Sequence, residues 1–205
     1  MNLYSQIIFP RLVDLGMQGD LFQAQRRQVL APVSGQVLEV GFGTGLNLPY
    51  YPAAVTHLTA IDPNPGMNRR ARSRLAPVSF PVELQVADAT ALPLSAAQFD
   101  WVVSTWTLCS VADVLAALRE IRRVLKPDGR FAFIEHGLSN EPGVQRWQQR
   151  WTPVQQLIGD GCRLNRDFSQ LLPAAGFQCQ ELAQFYLEAT PKILGYLYRG
   201  VAIAG

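Results

Sequence analysis

Val37-Leu38-Glu39-Val40-Gly41-Phe42-Gly43-Thr44-Gly45 sets a short strand-forming run directly before three alternating glycines. Glycine has no Cβ, so such a loop can turn sharply and lay its main chain against a ligand beyond the strand end. Strand, glycine loop and helical segment in that order make the first step of a βαβ unit. A dinucleotide-binding fingerprint beginning at Gly41 requires glycine at position 46, and Leu46 stands there. A nicotinamide cofactor is therefore disfavoured.

Outward from this loop, short apolar runs alternate with helical periodicity, the pattern of a parallel sheet. Strands are expected at 36–40, 57–61, 82–86, 101–104 and 131–134. Val114, Leu115, Leu118, Ile121, Val124 and Leu125 recur at helical steps, and Lys126-Pro127-Asp128-Gly129 stops them. Further helices are expected at 142–158 and 167–175, and two last strands at 179–187 and 195–204. The short Thr190-Pro191 connection allows those two strands only antiparallel pairing. The expected fold is α/β, a Rossmann-like doubly wound seven-stranded mixed sheet with one antiparallel strand and helices on both faces. One domain is expected over 1–205: an N-terminal helical segment at 1–31, a cofactor-binding core at 36–136, and acceptor-side helices with the last two strands at 137–205.

Composition narrows the function. With 205 residues, 48% hydrophobic and 17% charged, the chain suits one globular domain. A net charge of +2 is too mild to indicate nucleic acid, and Asn68 to Arg74 reads as the solvated face of a short helix. Cys109, Cys162 and Cys179 form no C-x-x-C pair, and His57 and His136 lie far apart, so no metal is expected. Neither a secretory signal nor a membrane-spanning run is evident, which suggests a cytoplasmic protein. Leu3, Ile7, Ile8, Leu12 and Leu15 recur at helical spacing around Pro10. They suit a helix covering the active site; peripheral contact with a membrane is the second use of such a face.

Glu39-x-Gly41-x-Gly43-x-Gly45 resembles the first motif of class I S-adenosylmethionine-dependent methyltransferases. The resemblance implies that the glycine backbone lies under the methionine part of S-adenosylmethionine and that Glu39 orients the site. Asp62, 17 residues after Gly45, then stands where the family accepts both ribose hydroxyls, with Pro63 beside it. An aspartate there also suits a helix cap. By the same resemblance Asp88 receives the adenine amino group and Ala89 offers its N–H to the ring. Phe99-Asp100 and the 125–129 turn complete the family's order of motifs.

Leu108-Cys109-Ser110-Val111, Glu135-His136, Trp147 to Gln149 and Asp160-Gly161-Cys162 are similar to a narrower group. That group is the thiol methyltransferase branch of the methyltransferase-like proteins and their bacterial relatives. It implies a small-molecule acceptor, first of all a thiol. In a doubly wound sheet the acceptor should meet Thr105, Trp106 and Thr107 after the fourth strand and His136 after the fifth. Histidine titrates near neutrality, which makes His136 the candidate catalytic residue. Cys109 and Cys162 read as buried structural residues. Phe42, Tyr50, Tyr51, Trp106, Trp147, Trp151 and Tyr186 are candidates for an apolar acceptor pocket. A lipid headgroup, a quinone-like ring or an amine is the alternative acceptor, although Ser104-Thr105-Trp106-Thr107 lacks the Pro-Pro-aromatic motif typical of amine methylation. A module that binds the cofactor without turnover is the non-enzymatic alternative.

Overall fold

Central strands buried almost without interruption build the molecule around one sheet. The computed structural model describes residues 3–205, so the first two residues of the expected N-terminal segment lie outside it. The strands are β1 (Gly35–Val40), β2 (Val55–Ile61), β3 (Val82–Gln85), β4 (Phe99–Thr105), β5 (Leu125–His136), β6 (Phe177–Tyr186) and β7 (Tyr196–Ala204). Their order is β3-β2-β1-β4-β5-β7-β6. β7 runs antiparallel to both neighbours, and the other pairings are parallel. The short link from β6 to β7, carrying helix α7 (Lys192–Gly195), thus produces the expected single reversed strand.

Successive side chains of a strand face opposite ways, and both faces of this sheet are apolar. Leu38, Val102, Phe131 and Phe133 point to one face, where α4 (Val114–Val124) and α6 (Phe168–Ala174) cover them. Val37, Val103, Ala132 and Ile134 point to the other, beneath α2 (Asp20–Leu30). α4 begins at Val114 because Asp113 accepts the Ala116 N–H at 2.9 Å, a side-chain cap of the helix N-terminus. The Lys126 to Gly129 turn is bridged within β5: Leu125 pairs with Phe99, and the ladder resumes only at Arg130 opposite Trp101. β3 ends at Gln85, leaving Val86 61% exposed rather than paired.

The N-terminal segment is a wide helical turn at Tyr4–Ile8 followed by α1 (Phe9–Gly16). Pro10 lies in the first turn of α1, where its missing N–H costs no helical bond. α1 is fixed by Asp14, which is buried, bonds the Thr44 hydroxyl and pairs with Arg70, whose Nε lies 2.7 Å away. Arg74 approaches the same carboxylate at 3.3 Å. The basic run around α3 (Pro65–Ala71) is therefore a solvated face at Arg69, Arg72 and Ser73; Asn68 is buried, and Arg70 and Arg74 hold the N-terminal helix. Leu3, Ile7, Ile8, Leu12 and Leu15 stay exposed. Tyr4 donates to the Ile158 carbonyl at 2.6 Å, joining this segment to the end of α5 (Pro142–Ile158), which itself exposes Trp147, Trp151, Val154 and Leu157. Among the described residues no helix is long and apolar enough to cross a membrane.

Candidate active site

Strand order reverses between β1 and β4, and the crevice at such a point is where ligands of open α/β sheets gather. Gly41 opens the crevice loop at φ +74°, and a Cβ there would sit 2.0 Å from Thr107 Cγ2. Only glycine lets the loops after β1 and β4 come this close. Gly43, at φ +57°, has nothing nearer its absent Cβ than the Gly41 carbonyl at 3.9 Å. Its free side opens into a cavity of ≈ 1000 Å³, large enough for a cofactor and a small acceptor.

Each of β1 to β5, with the loop that follows it, supplies wall to this cavity. Glu39, Gly41 and Gly43 come from β1 and its loop, Asp62 and Pro63 follow β2, and Asp88 and Ala89 follow β3. Thr105 ends β4 and His136 ends β5. Gly45 alone among the expected cofactor-binding and catalytic residues lies off the wall; it packs beside Leu48 and Ala71 and closes the turn through its N–H to the Phe42 carbonyl at 3.1 Å.

Asp62 is 7% exposed, and its oxygens accept the N–H groups of Gly43 at 2.9 Å and Asn64 at 2.8 Å. Burial outweighs these bonds and pushes its carboxyl up to about 6. The helix-cap role belongs instead to Asn64, which accepts the Gly66 N–H. Glu39 is buried more deeply, and its carboxyl is pushed up to about 8 by desolvation, despite hydrogen bonds from Tyr51 at 2.6 Å and Asn47 at 2.8 Å. Asp88 differs: it is exposed, and Oδ1 accepts the N–H and hydroxyl of Thr90, each at 2.8 Å.

A wall residue without a sequence signal is Asn47. Asn47 bridges Glu39 and the Thr105 hydroxyl through Nδ2, while its buried Oδ1 has no partner. Trp106 holds φ +51° just after β4, strained backbone of the kind that collects at functional sites. Its ring packs against Phe22 and lies 5.0 Å from the Arg26 guanidinium. Tyr4, Phe9 and Val13 line the cavity, so the N-terminal helices cover it, although most of the apolar positions picked out by the spacing, Leu3, Ile7, Ile8 and Leu15, stay exposed. Phe42 and Trp106 face the cavity, whereas Tyr50, Tyr51 and Tyr186 pack in the core clusters and Trp147 and Trp151 are exposed on α5, none of these five lining it.

Past β4 and β5 the wall is organised by Glu135. This fully buried carboxylate accepts from the Ser104 hydroxyl at 2.7 Å and from the N–H groups of Thr107, Leu108 and Cys109 at 3.1, 3.0 and 3.1 Å. Burial still leaves it above the usual carboxylate range. The loop so held carries Cys109 to 3.6 Å from Cys162 Sγ, which lies 3.9 Å from His136 Nδ1. Both cysteines are buried as expected, yet both also line the cavity. Chain spacing separates these three residues and gave no sign of the cluster.

The lone buried Oδ1 of Asn47, the open space at Gly43 and the spare lone pairs of Asp62 fit a ligand with an amino-acid end and a ribose, as S-adenosylmethionine has. The pattern of the methyltransferase domain family matches residues 38–133. Human thiol S-methyltransferase TMT1A is 34% identical over 181 residues, 82% of this chain and 73% of that protein. A demethylmenaquinone methyltransferase of Clavibacter sepedonicus is 35% identical over 127 residues, 62% of this chain and 51% of that protein. A crystal structure of a SAM-dependent methyltransferase from Thermotoga maritima superposes with TM-score 0.68 at 20% identity, covering 98% of this chain and 100% of that one, which speaks to fold alone. On sequence pattern, sheet order and likeness across most of its length, the chain belongs to the class I S-adenosylmethionine-dependent methyltransferases and resembles their thiol S-methyltransferase branch.

Proposed function

We propose that this methyltransferase methylates a small thiol. The observation that carries the reading is the wall past β4 and β5, where His136 stands beside Cys162 and Cys109 among Val111 and Ile158. Such soft, largely apolar surroundings suit an acceptor sulfur. Likeness to a thiol S-methyltransferase over most of the chain supports it.

The bound cofactor supplies a methyl group on an already cationic sulfur. Acceleration then comes mostly from alignment of the acceptor and exclusion of water. Asp62 would hold the ribose, Asp88 and Ala89 the adenine, and the glycine loop with Asn47 the methionine end. Thr105 and Trp106 separate cofactor from acceptor, and α1 with the turn before it screens the cavity from solvent. His136 serves ionisation of the acceptor. A thiol of pKa about 8.5 is only a few per cent thiolate at neutral pH, so modest help is enough.

The test is mass-spectrometric detection of S-adenosylhomocysteine with small alkyl and aryl thiols, beside a demethylmenaquinone-like quinol, phosphatidylethanolamine and small amines. Fastest turnover with thiols supports the assignment; turnover with the quinol alone would transfer it to the ring acceptor named for the Clavibacter relative. A cytoplasmic enzyme touching lipid through the exposed faces of α1 and α5 is the matching reading of the surface, since Arg146 and Arg150 flank the α5 stripe. Cosedimentation with anionic vesicles measures that contact.

A further inference from the structure

We propose that Cys109, His136 and Cys162 form a zinc site whose fourth position faces the cavity and takes the acceptor thiol as thiolate. The metal site stands on geometry alone; its use of the fourth position rests on the thiol reading above.

One ligand atom from each of the three residues lies within 4.8 Å of the others, and all three residues line the cavity. Tetrahedral zinc, with Zn–S about 2.3 Å and Zn–N about 2.0 Å, sets neighbouring ligand atoms roughly 3.5 to 3.8 Å apart. The observed separations are 3.6 Å between the sulfurs and 3.9 Å from Cys162 Sγ to His136 Nδ1. Those sulfurs are well short of a disulfide, which needs about 2.05 Å. Two thiolates and an imidazole are soft ligands that favour zinc, and three protein ligands leave the open position of a catalytic site.

The cluster is held in place by backbone contacts as well as by its own side chains. Arg163 N–H donates to the Cys109 carbonyl at 2.9 Å, tying the two cysteine segments together. Gly161, at φ +97°, lets its turn press on Ser110, whose carbonyl would be 2.9 Å from a Cβ there. Arg166 clamps the same loop through the Leu108 carbonyl at 2.6 Å, and Glu135 takes the Cys109 N–H. Leu164, Ile193 and Leu194 pack around the cysteines and keep water out. Ligands fixed in this way lose little freedom when a cation enters.

In this site His136 acts as a ligand. The acceptor's proton leaves to solvent as its sulfur binds zinc. A sulfur lone pair then forms the new bond to the methyl carbon while the methyl–sulfonium bond breaks, its electron pair neutralising the cofactor sulfur.

The experiment measures zinc by mass spectrometry in untagged full-length protein, then replaces it with cobalt and records thiolate-to-cobalt absorption. About one zinc per chain is expected, with affinity at least about 100-fold weaker in Cys162→Ser and His136→Gln, and unchanged in Cys179→Ser. Circular dichroism confirms that each variant is folded. Cobalt bands that shift on adding a small thiol support the open position. No metal bound at micromolar zinc, or equal occupancy in wild type and both ligand variants, overturns the site. Thiol turnover that survives complete chelation overturns its role in the reaction while leaving the thiol assignment intact; a zinc-loaded protein that methylates no thiol does the reverse.

Discussion

The backbone N–H of Cys109 donates to Glu135 Oε2 at 3.1 Å, so a cavity-wall residue after β4 is positioned by a carboxylate that ends β5. Glu135 takes two further backbone donors from the same loop, from Thr107 and Leu108. Glu135→Ala leaves four donors, these three N–H groups and the Ser104 hydroxyl, without their acceptor in a buried place, at about 1 to 3 kcal/mol each. Loss of about 3 kcal/mol or more is expected in urea unfolding, with weakened turnover. A loss below about 1 kcal/mol would mean that the loop finds other acceptors.

Gly43→Asp should abolish cofactor binding in a folded protein. The new side chain would enter the cavity from a backbone at φ +57° and bring a second negative charge to Asp62, which accepts the Gly43 N–H at 2.9 Å. Calorimetry decides, and undiminished affinity would remove the loop from the cofactor site.

Asp62 and Asp88 should rank in that order. Asp62→Ala is expected to cost on the order of 1 to 3 kcal/mol of cofactor affinity, and Asp88→Ala less, because Asp88 is exposed and water can replace it. Only ionised Asp62 offers all its lone pairs to ribose hydroxyls. With its carboxyl pushed up to about 6, wild-type affinity should weaken as pH falls through that value. Titrations at several pH values on wild type and Asp62→Asn check this; an equal slope in both would clear Asp62 of the effect.

The order of strands, the reversed β7 and most of the cavity wall were legible because they depend on local signals: apolar runs, a short link at Thr190-Pro191, and acids at strand ends. Gly45 followed the same motif but serves the turn, since only packing shows which glycine faces the ligand. Arg70 and Arg74 looked solvated because Asp14, their partner, lies more than 50 positions earlier. Glu135 stood out only in the Glu135-His136 pair; its three N–H partners belong to a loop more than 20 positions before it. The Cys109, His136 and Cys162 cluster hid for the same reason, as contacts between distant segments leave no periodicity to read.

Glu39 gives the fold a pH dependence. Its carboxyl rises from the ordinary 4.5 to about 8 in the folded chain. Between those values the folded chain keeps a proton that the unfolded chain has released, so stability falls as pH rises. The slope amounts to on the order of 1.4 kcal/mol per unit while the gap lasts. Asp62 and Glu135, also raised, act in the same direction. Glu39→Gln should flatten, without abolishing, the fall in unfolding free energy from pH 5 to 8. An unchanged profile would show that Glu39 is ionised in the fold throughout.

His136→Gln tests the acceptor end. Glutamine keeps hydrogen-bonding capacity but can neither accept a proton as histidine does nor serve zinc as an imidazole. The cofactor-wall residues Asp62, Asn47 and Gly43 are untouched, so cofactor affinity should hold within about twofold, a few tenths of a kcal/mol. Thiol turnover at neutral pH should fall by about 10-fold or more, toward the lower end of general-base effects, because the few per cent of thiolate already present still reacts. As pH approaches about 8.5, an acceptor thiol ionises unaided and the deficit should shrink. A constant deficit at every pH would mean that the substitution misaligns the acceptor. Wild-type rates from pH 6 to 9 would leave methyl transfer to positioning alone and make His136 a structural residue.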